Sequence, residues 1–295
     1  MQTGRKVPLL SDRDWIEVVI VALLGVLYAP LLLHWYNGWL HKTISIEHEY
    51  FSHGLIGLPF AAYIIWLNRK RWHRLADTCH PLGLALLPLV SIFYLSGLPD
   101  FVNLSLPLVL LGLCLCLKGL PGLRLQAFPL LMIFLATPNE LPYLLTPYTL
   151  PLQSFIAGTA GFILSQFGMD ITVEHIYLFV GGRIVEVAPY CAGLKMLFTS
   201  LYVALMLLYW RDDLSSRLIT GLFLGCSAIL SVTANIFRNT FLTLFHGTGQ
   251  EQLFSWLHEG WGGDLYSTIM LGLLIPVLIG LENYFSPFSD EPPSS

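Results

Sequence analysis

Residues 187–211 read VAPYCAGLKMLFTSLYVALMLLYWR, and the separation of two landmarks in this stretch decides the fold. Cys191 and Arg211 stand 20 residues apart across an apolar run. At a helical rise of ~1.5 Å per residue this is about 30 Å, the thickness of the hydrocarbon core of a bilayer. The remainder of the chain has the same character. Of 295 residues, 55% are hydrophobic and 12% charged, where a soluble domain carries roughly a quarter charged. With a mean hydropathy of +0.66, the composition is that of a polytopic membrane protein. The net charge of -4 offers no basic surface for phosphate backbones, so nucleic acid is not an expected partner.

Working outward, apolar runs able to cross lie near 15–33, 51–67, 82–98, 101–117, 123–137, 193–210, 218–240 and 265–284. The first has no small-x-small cleavage site before the polar segment 34–50, so it reads as an uncleaved helix. Orientation follows from the cations, which stay cytoplasmic in short loops. Arg5, Lys6 and Arg13, then Arg69, Lys70, Arg71 and Arg74, then Lys118 and Arg124, then Arg211 and Arg217 all fall inside if both termini are cytoplasmic. Segments 34–50, 138–192 and 246–264 are then outside. Crossing by the apolar segment 150–167 would move Arg211 and Arg217 outside, so it reads as an interfacial or re-entrant helix. Beyond it, ITVEHIYLFV and RIVEVA alternate with period two around Gly181-Gly182, a hairpin signal that leads to Cys191. The expected fold is therefore all-α and polytopic, with about eight transmembrane helices, a short extracytoplasmic hairpin and an interfacial helix before the cysteine. One domain covers 1–285, and the tail 286–295, SPFSDEPPSS, is too polar and proline-rich to pack.

Depth arithmetic selects the candidate site. Cys191 lies at the outer edge; Arg238, 20 residues beyond Leu218, reaches the same level, and His258 precedes the last span there. A thiol, a guanidinium and an imidazole at one depth suit nucleophilic chemistry. A helix N-terminus or nearby cation lowers a thiol's pKa, an imidazole exchanges protons, and a guanidinium holds an oxyanion. Gly193 lets a substrate backbone approach, and Asn235 makes ANIFRN a polar face in an apolar span. Each residue also has a plainer reading: Cys191 as a small hydrophobe, Arg238 snorkelling to head groups, His258 as a solvated loop residue beside Glu259 and Asp264. His246 is a rival imidazole. Cys79, Cys114, Cys116 and Cys226 lie at cytoplasmic or inner positions and cannot reach Cys191, and Cys114-x-Cys116 is too tightly spaced for zinc. The outer loop holds His34, His41, His48 and His53 with Glu47 and Glu49. A metal there is the alternative to a reading in which His53 supports the site or lines a substrate groove. The sequence implies no metal and no other cofactor.

These residues resemble the motifs of the exosortase/archaeosortase family of membrane cysteine transpeptidases. The family carries Pro-x-Cys-x-Gly, Asn-x-x-Arg, and a His shortly before the last span; here they are PYCAG with Cys191, NIFR with Arg238 and WLHEGWGG with His258. The first outer loop adds EYFSHG at 49–54, similar to an aromatic-Ser-His-Gly stretch of the family, and WLHEGWGGDLYS resembles its cyanobacterial branch. Ala192 departs from the Ser of many members, which argues against a catalytic hydroxyl there. The resemblance implies a sortase-like cysteine peptidase of the bacterial inner membrane with its site on the extracytoplasmic face. Its partners are secreted proteins ending in a PEP-CTERM-like signal, a short motif followed by a transmembrane helix and a basic tail, together with membrane lipid. It implies Cys191 as nucleophile, with His258 as general acid/base and Arg238 as oxyanion stabiliser, or these two roles exchanged. His53, Asn235 and Gly193 are the substrate-binding candidates. Two further classes stay open: an acyltransferase using the same thiol and imidazole on lipid, and a transporter or scaffold without catalysis.

Overall fold

Backbone N–H and C=O groups in hydrocarbon must find partners within the protein, which drives apolar runs into helices. The computed structural model describes residues 12–40, 50–188, 193–258 and 260–285. Its helices are α1 (Asp12–Leu40), α2 (Gly54–Arg74), α3 (Pro81–Leu95), α4 (Pro99–Leu135), α5 (Leu150–Gln166), α6 (Leu194–Arg211), α7 (Arg217–Gly247), α8 (Glu251–His258), α9 (Trp261–Gly272) and α10 (Leu274–Phe285). Among the described residues, five helical stretches are long and apolar enough to cross a bilayer: within α1, α4, α6 and α7, and α9 with α10 as one span. The chain is thus an all-α polytopic membrane protein.

The runs at 101–117 and 123–137 are the two arms of α4, which is kinked at Gly119 (φ 58°, ψ −152°) just before Pro121, so two helices stand where the sequence has two runs. Only glycine adopts that backbone without strain, and proline cannot donate to the preceding turn. Two runs of the eight fall short for local reasons: that at 82–98 is a helix of 15 residues, shorter than a bilayer requires, and that at 51–67 lies in α2, whose last turns carry Arg69, Lys70, Arg71 and Arg74.

The break in α4 turns Lys118 inward. Its side chain is 1% exposed, with Nζ donating to the Leu75 carbonyl at 2.8 Å and to Asp77 Oδ1 at 3.0 Å. This ties the α2–α3 connection to the middle of α4 and defines one end of the bundle. At the same end Arg211 grips Glu282 with two bonds of 2.8 and 2.6 Å, joining α6 to α10.

The opposite end is built from α6, α7, α8 and a small sheet. The segment read as a two-stranded hairpin is a three-stranded antiparallel meander: β1 (Ile171–Glu174), β2 (Tyr177–Val180) and β3 (Arg183–Glu186). His175 takes a positive φ of 54° and turns the chain between β1 and β2, which divides the expected first strand. Gly181 and Gly182 form the β2–β3 turn as the sequence implies. Four-residue strands span only about 13 Å. Gln153 of α5 bonds the Val187 carbonyl at 2.8 Å, and Gly161, two turns further on, packs on Val173 of β1. Much of α5 therefore lies along the sheet, with Ile156, Ala157 and Ala160 sharing a core with Leu178, Val187 and Ile236. This is the placement expected for a helix that packs on the bundle.

Replacing Lys118 by Met leaves the Leu75 carbonyl unpaired, at a cost of about 1–3 kcal/mol. Asp77 is 57% exposed and can solvate itself, so Asp77→Asn is expected to cost less than about 1 kcal/mol. Thermal melting of the detergent-purified protein, followed by size exclusion, distinguishes the two variants.

Candidate functional site

α6 begins at Leu194 behind Gly193, whose φ of 81° lies in the left-handed region that glycine tolerates. A second constraint acts on the same residue. A Cβ on Gly193 would stand 2.7 Å from the carbon and nitrogen of the Asn235 side-chain amide, so the head of α6 and the flank of α7 touch with no space between them. Asn235 is 1% exposed, and its carbonyl accepts a 2.9 Å bond from Asn239 Nδ2 one turn on. Residues 189–192, and with them Cys191 and Ala192, lie outside the described residues. The chain on either side of them is held: Val187 by Gln153, and Gly193 against Asn235.

Arg238 lies three residues beyond Asn235 and does not turn toward solvent as a snorkelling arginine does. Its Nη2 donates 3.4 Å bonds to the carbonyls of Leu257 and His258, the last residues of α8. A guanidinium at a helix C-terminus meets the orphan carbonyls and the negative end of the helix dipole. It also fixes the backbone of His258. Its Nε is buried with no hydrogen-bond partner among the described residues, so the cation retains donor capacity. Tyr266 of α9 packs nearby with its hydroxyl donating to the Ala234 carbonyl at 2.6 Å, which holds α9 against the same turn of α7.

His258 is half-buried, and its ring is oriented by an element that depth arithmetic does not reveal. Phe254, one turn earlier on α8, stacks on it at 5.2 Å with an interplanar angle of 11°. The same phenyl ring lies 5.1 Å from His246, so Phe254 separates the two imidazoles. His246 Nδ1 is 3.5 Å from Glu251 Oε2, and Glu251 also pairs with Arg183 at the start of β3. The β2–β3 turn is pressed onto the end of α7, Gly181 meeting the Gly247 carbonyl. Glu251 thus joins the hairpin, the end of α7 and the start of α8. The spacing of Phe254 and His258 at i, i+4 was the available signal. Tight packing of Gly262 under the Trp256 ring and of Gly263 under the Leu257 carbonyl folds α8 back on α9, which explains the glycines of HEGWGG.

Gly193, Asn235, Arg238 and His258 are therefore brought together in pairs at one end of the bundle. His53 is not part of that group. It is 4% exposed, with Nε2 bonded to the Leu135 carbonyl at 3.1 Å and its ring 4.4 Å from Tyr202. His53 thus ties α2, α4 and α6 together, while Tyr50 and Phe51 of the same motif share a core with Leu194 at the head of α6. Of the outer-loop histidines and glutamates, His41, Glu47, His48 and Glu49 lie outside the described residues, as does Glu259. Cys79, Cys114, Cys116 and Cys226 are free thiols, Cys79 and Cys116 by the Lys118 end and Cys226 in the first half of α7.

The architecture and this polar cluster define a polytopic membrane protein with one end specialised for polar chemistry. A family model described as transmembrane exosortase (EpsH) matches residues 35–275, most of the chain and every element of the cluster. The chain belongs to the transmembrane exosortase family. No curated protein and no solved structure matches it.

Phe254→Ala is expected to uncover one face of His258 while leaving Arg238 on the α8 carbonyls. Diethyl pyrocarbonate should then modify His258 severalfold faster, mapped by peptide mass spectrometry. Phe254→Tyr should restore the slow rate.

Proposed function

We propose that this chain is a membrane cysteine transpeptidase that removes the C-terminal sorting signal of secreted proteins by way of a thioester on Cys191. The observation that carries the reading is the pairing of Gly193, two residues after Cys191 in the sequence, with Asn235 and of Arg238 with the His258 backbone, on three neighbouring elements. Family membership supports the same chemistry. The cations Arg69, Lys70, Arg71, Arg74 and Arg124, clustered toward the Lys118 end, support a cytoplasmic Lys118 end and an extracytoplasmic Gly193 end.

In this reading the Cys191 thiolate attacks the carbonyl carbon of the scissile peptide bond, and Arg238 donates to the developing oxyanion. The C–N bond breaks as the leaving amine accepts a proton from the His258 imidazolium, and the acyl group stays on sulfur. An acceptor, water or an amine, then attacks the thioester, passes its proton to the imidazole and releases the thiolate. Gly193 and Asn235 shape the wall along which the substrate backbone approaches. His53 acts as a support. The substrate class is a secreted protein whose tail carries a PEP-CTERM-like motif, an apolar helix and basic residues; that helix can lie against the bundle within the bilayer.

Co-expression of a tailed candidate substrate with each enzyme variant, followed by intact mass of both proteins, tests the reading. Wild type is expected to shorten the substrate and Cys191→Ala to leave it whole. His258→Ala should slow processing by about 10²–10⁴-fold and accumulate a peptide adduct on Cys191. Arg238→Ala should lose about 10²–10³-fold. Equal processing by wild type and Cys191→Ala removes this thiol from the reaction, and a fatty rather than a peptidyl adduct on Cys191 makes the protein an acyltransferase.

A further inference from the structure

The Lys118 end holds a feature that the chemistry at the other end does not use. α1 is pinned to the bundle along its second half, where Trp35 Nε1 donates to Asn103 Oδ1 at 2.8 Å and Tyr28 bonds Ser105 at 3.0 Å. Its first half makes few such contacts: Val18, Val19, Val21, Leu23 and Val26 are all exposed. Between this first half, α2 and α4 lies a crevice of about 250 Å³. Its walls are apolar, with Val21 and Leu24 on one side and Leu113 on another. Among the described residues, Arg69, His73 and Gln126 line it with polar side chains, and no carboxylate does.

The polar groups have an order. Gln126 is nearly buried, and its Oε1 accepts from Asn68 Nδ2 at 3.4 Å, which turns its amide nitrogen into a donor for whatever fills the crevice. Arg69 lies with its guanidinium 4.0 Å from the centroid of the Trp66 ring, and Trp66 belongs to an aromatic group with Tyr63 and Trp210. Such aromatic groups sit at the membrane–water interface, where lipid phosphates are. The neighbours Lys70, Arg71 and Arg74 add positive charge, while the nearby Asp77 is engaged by Lys118. Apolar wall, amide donor and cation thus follow one another from bilayer interior to surface. Acyl chain, glycerol ester and anionic phosphate follow one another in the same direction.

We propose that the α1–α2–α4 crevice is a binding site for one anionic phospholipid of the leaflet at the Lys118 end. One acyl chain lies against Val21, Leu24 and Leu113, the ester carbonyl meets Gln126, and the phosphate is held by Arg69 and His73. The occupant is an anion because, among the described side chains, the charged groups at the mouth are cations, and a lipid because the wall is continuous with the lipid-facing surface of α1. A basic-tailed substrate helix is disfavoured at this place by the same cations. The proposal is independent of the reaction at Cys191.

Native mass spectrometry of the full chain in detergent tests it, with phosphatidylglycerol and phosphatidylcholine of identical acyl chains as probes. Wild type is expected to retain one phosphatidylglycerol more tightly than phosphatidylcholine. Arg69→Gln should weaken phosphatidylglycerol by about fivefold, the effect of one cation near a membrane surface, and leave phosphatidylcholine unchanged. Leu113→Trp, which fills the crevice, should remove the preferred adduct altogether; His73→Gln serves in place of Arg69→Gln if that variant elutes as aggregate. Equal binding of the two lipids by wild type overturns the proposal, and so does a preference for phosphatidylglycerol that persists in Leu113→Trp.

Discussion

Everything at the polar end of this molecule depends on the absence of a side chain at Gly193. The contact with Asn235 is so close that a methyl group there would overlap the amide, and the backbone at Gly193 is one that other residues adopt only with strain. Because the head of α6 can come that near to α7, the first turn of α6 is held against the turn of α7 that bears Asn235 and Arg238. A larger residue at Gly193 would push the head of α6 away from the Asn235 side chain.

The second constraint is electrostatic. A guanidinium half-buried beside apolar helices needs acceptors, and none of the described carboxylates pairs with Arg238. The carbonyls at the end of α8 serve instead. An eight-residue helix is marginal by itself, and a cation at its C-terminus stabilises it while fixing the place of His258. The clasp of Arg183, Glu251 and His246 acts at the other end of the same helix. Hairpin, α7 and α8 therefore form one unit, in which both flanks of the candidate reaction centre are held by polar contacts.

The two ends of the bundle solve opposite problems. At the Lys118 end the charges are numerous, and the buried one is neutralised by a carbonyl and a carboxylate, with the others facing the interface. Exposed cations beside an apolar crevice favour an anionic amphiphile. At the Gly193 end Arg183, Glu251 and Arg238 are engaged across elements, an arrangement that favours defined geometry over surface attraction.

The all-α polytopic class, the two arms of α4 on either side of Gly119 and the packed position of α5 were legible in the chain. The reason is that distance along a helix is linear in residue number, and the bilayer sets a ruler of fixed length. His53 was grouped with the site because of its outer-loop motif; its packing against Tyr202 and the Leu135 carbonyl, which ties three helices together, was not visible in that motif. The division of the first strand at His175 was likewise invisible to a period-two pattern, since a single positive φ leaves the alternation on either side intact. The sequence by itself determined that this is an all-α membrane bundle, with the order of its helices and of the polar residues along each. Only the tertiary structure decided which described polar residues face one another, because the azimuth of a side chain depends on how neighbouring helices pack, and contacts as close as Gly193 on Asn235 or Phe254 on His258 settle it.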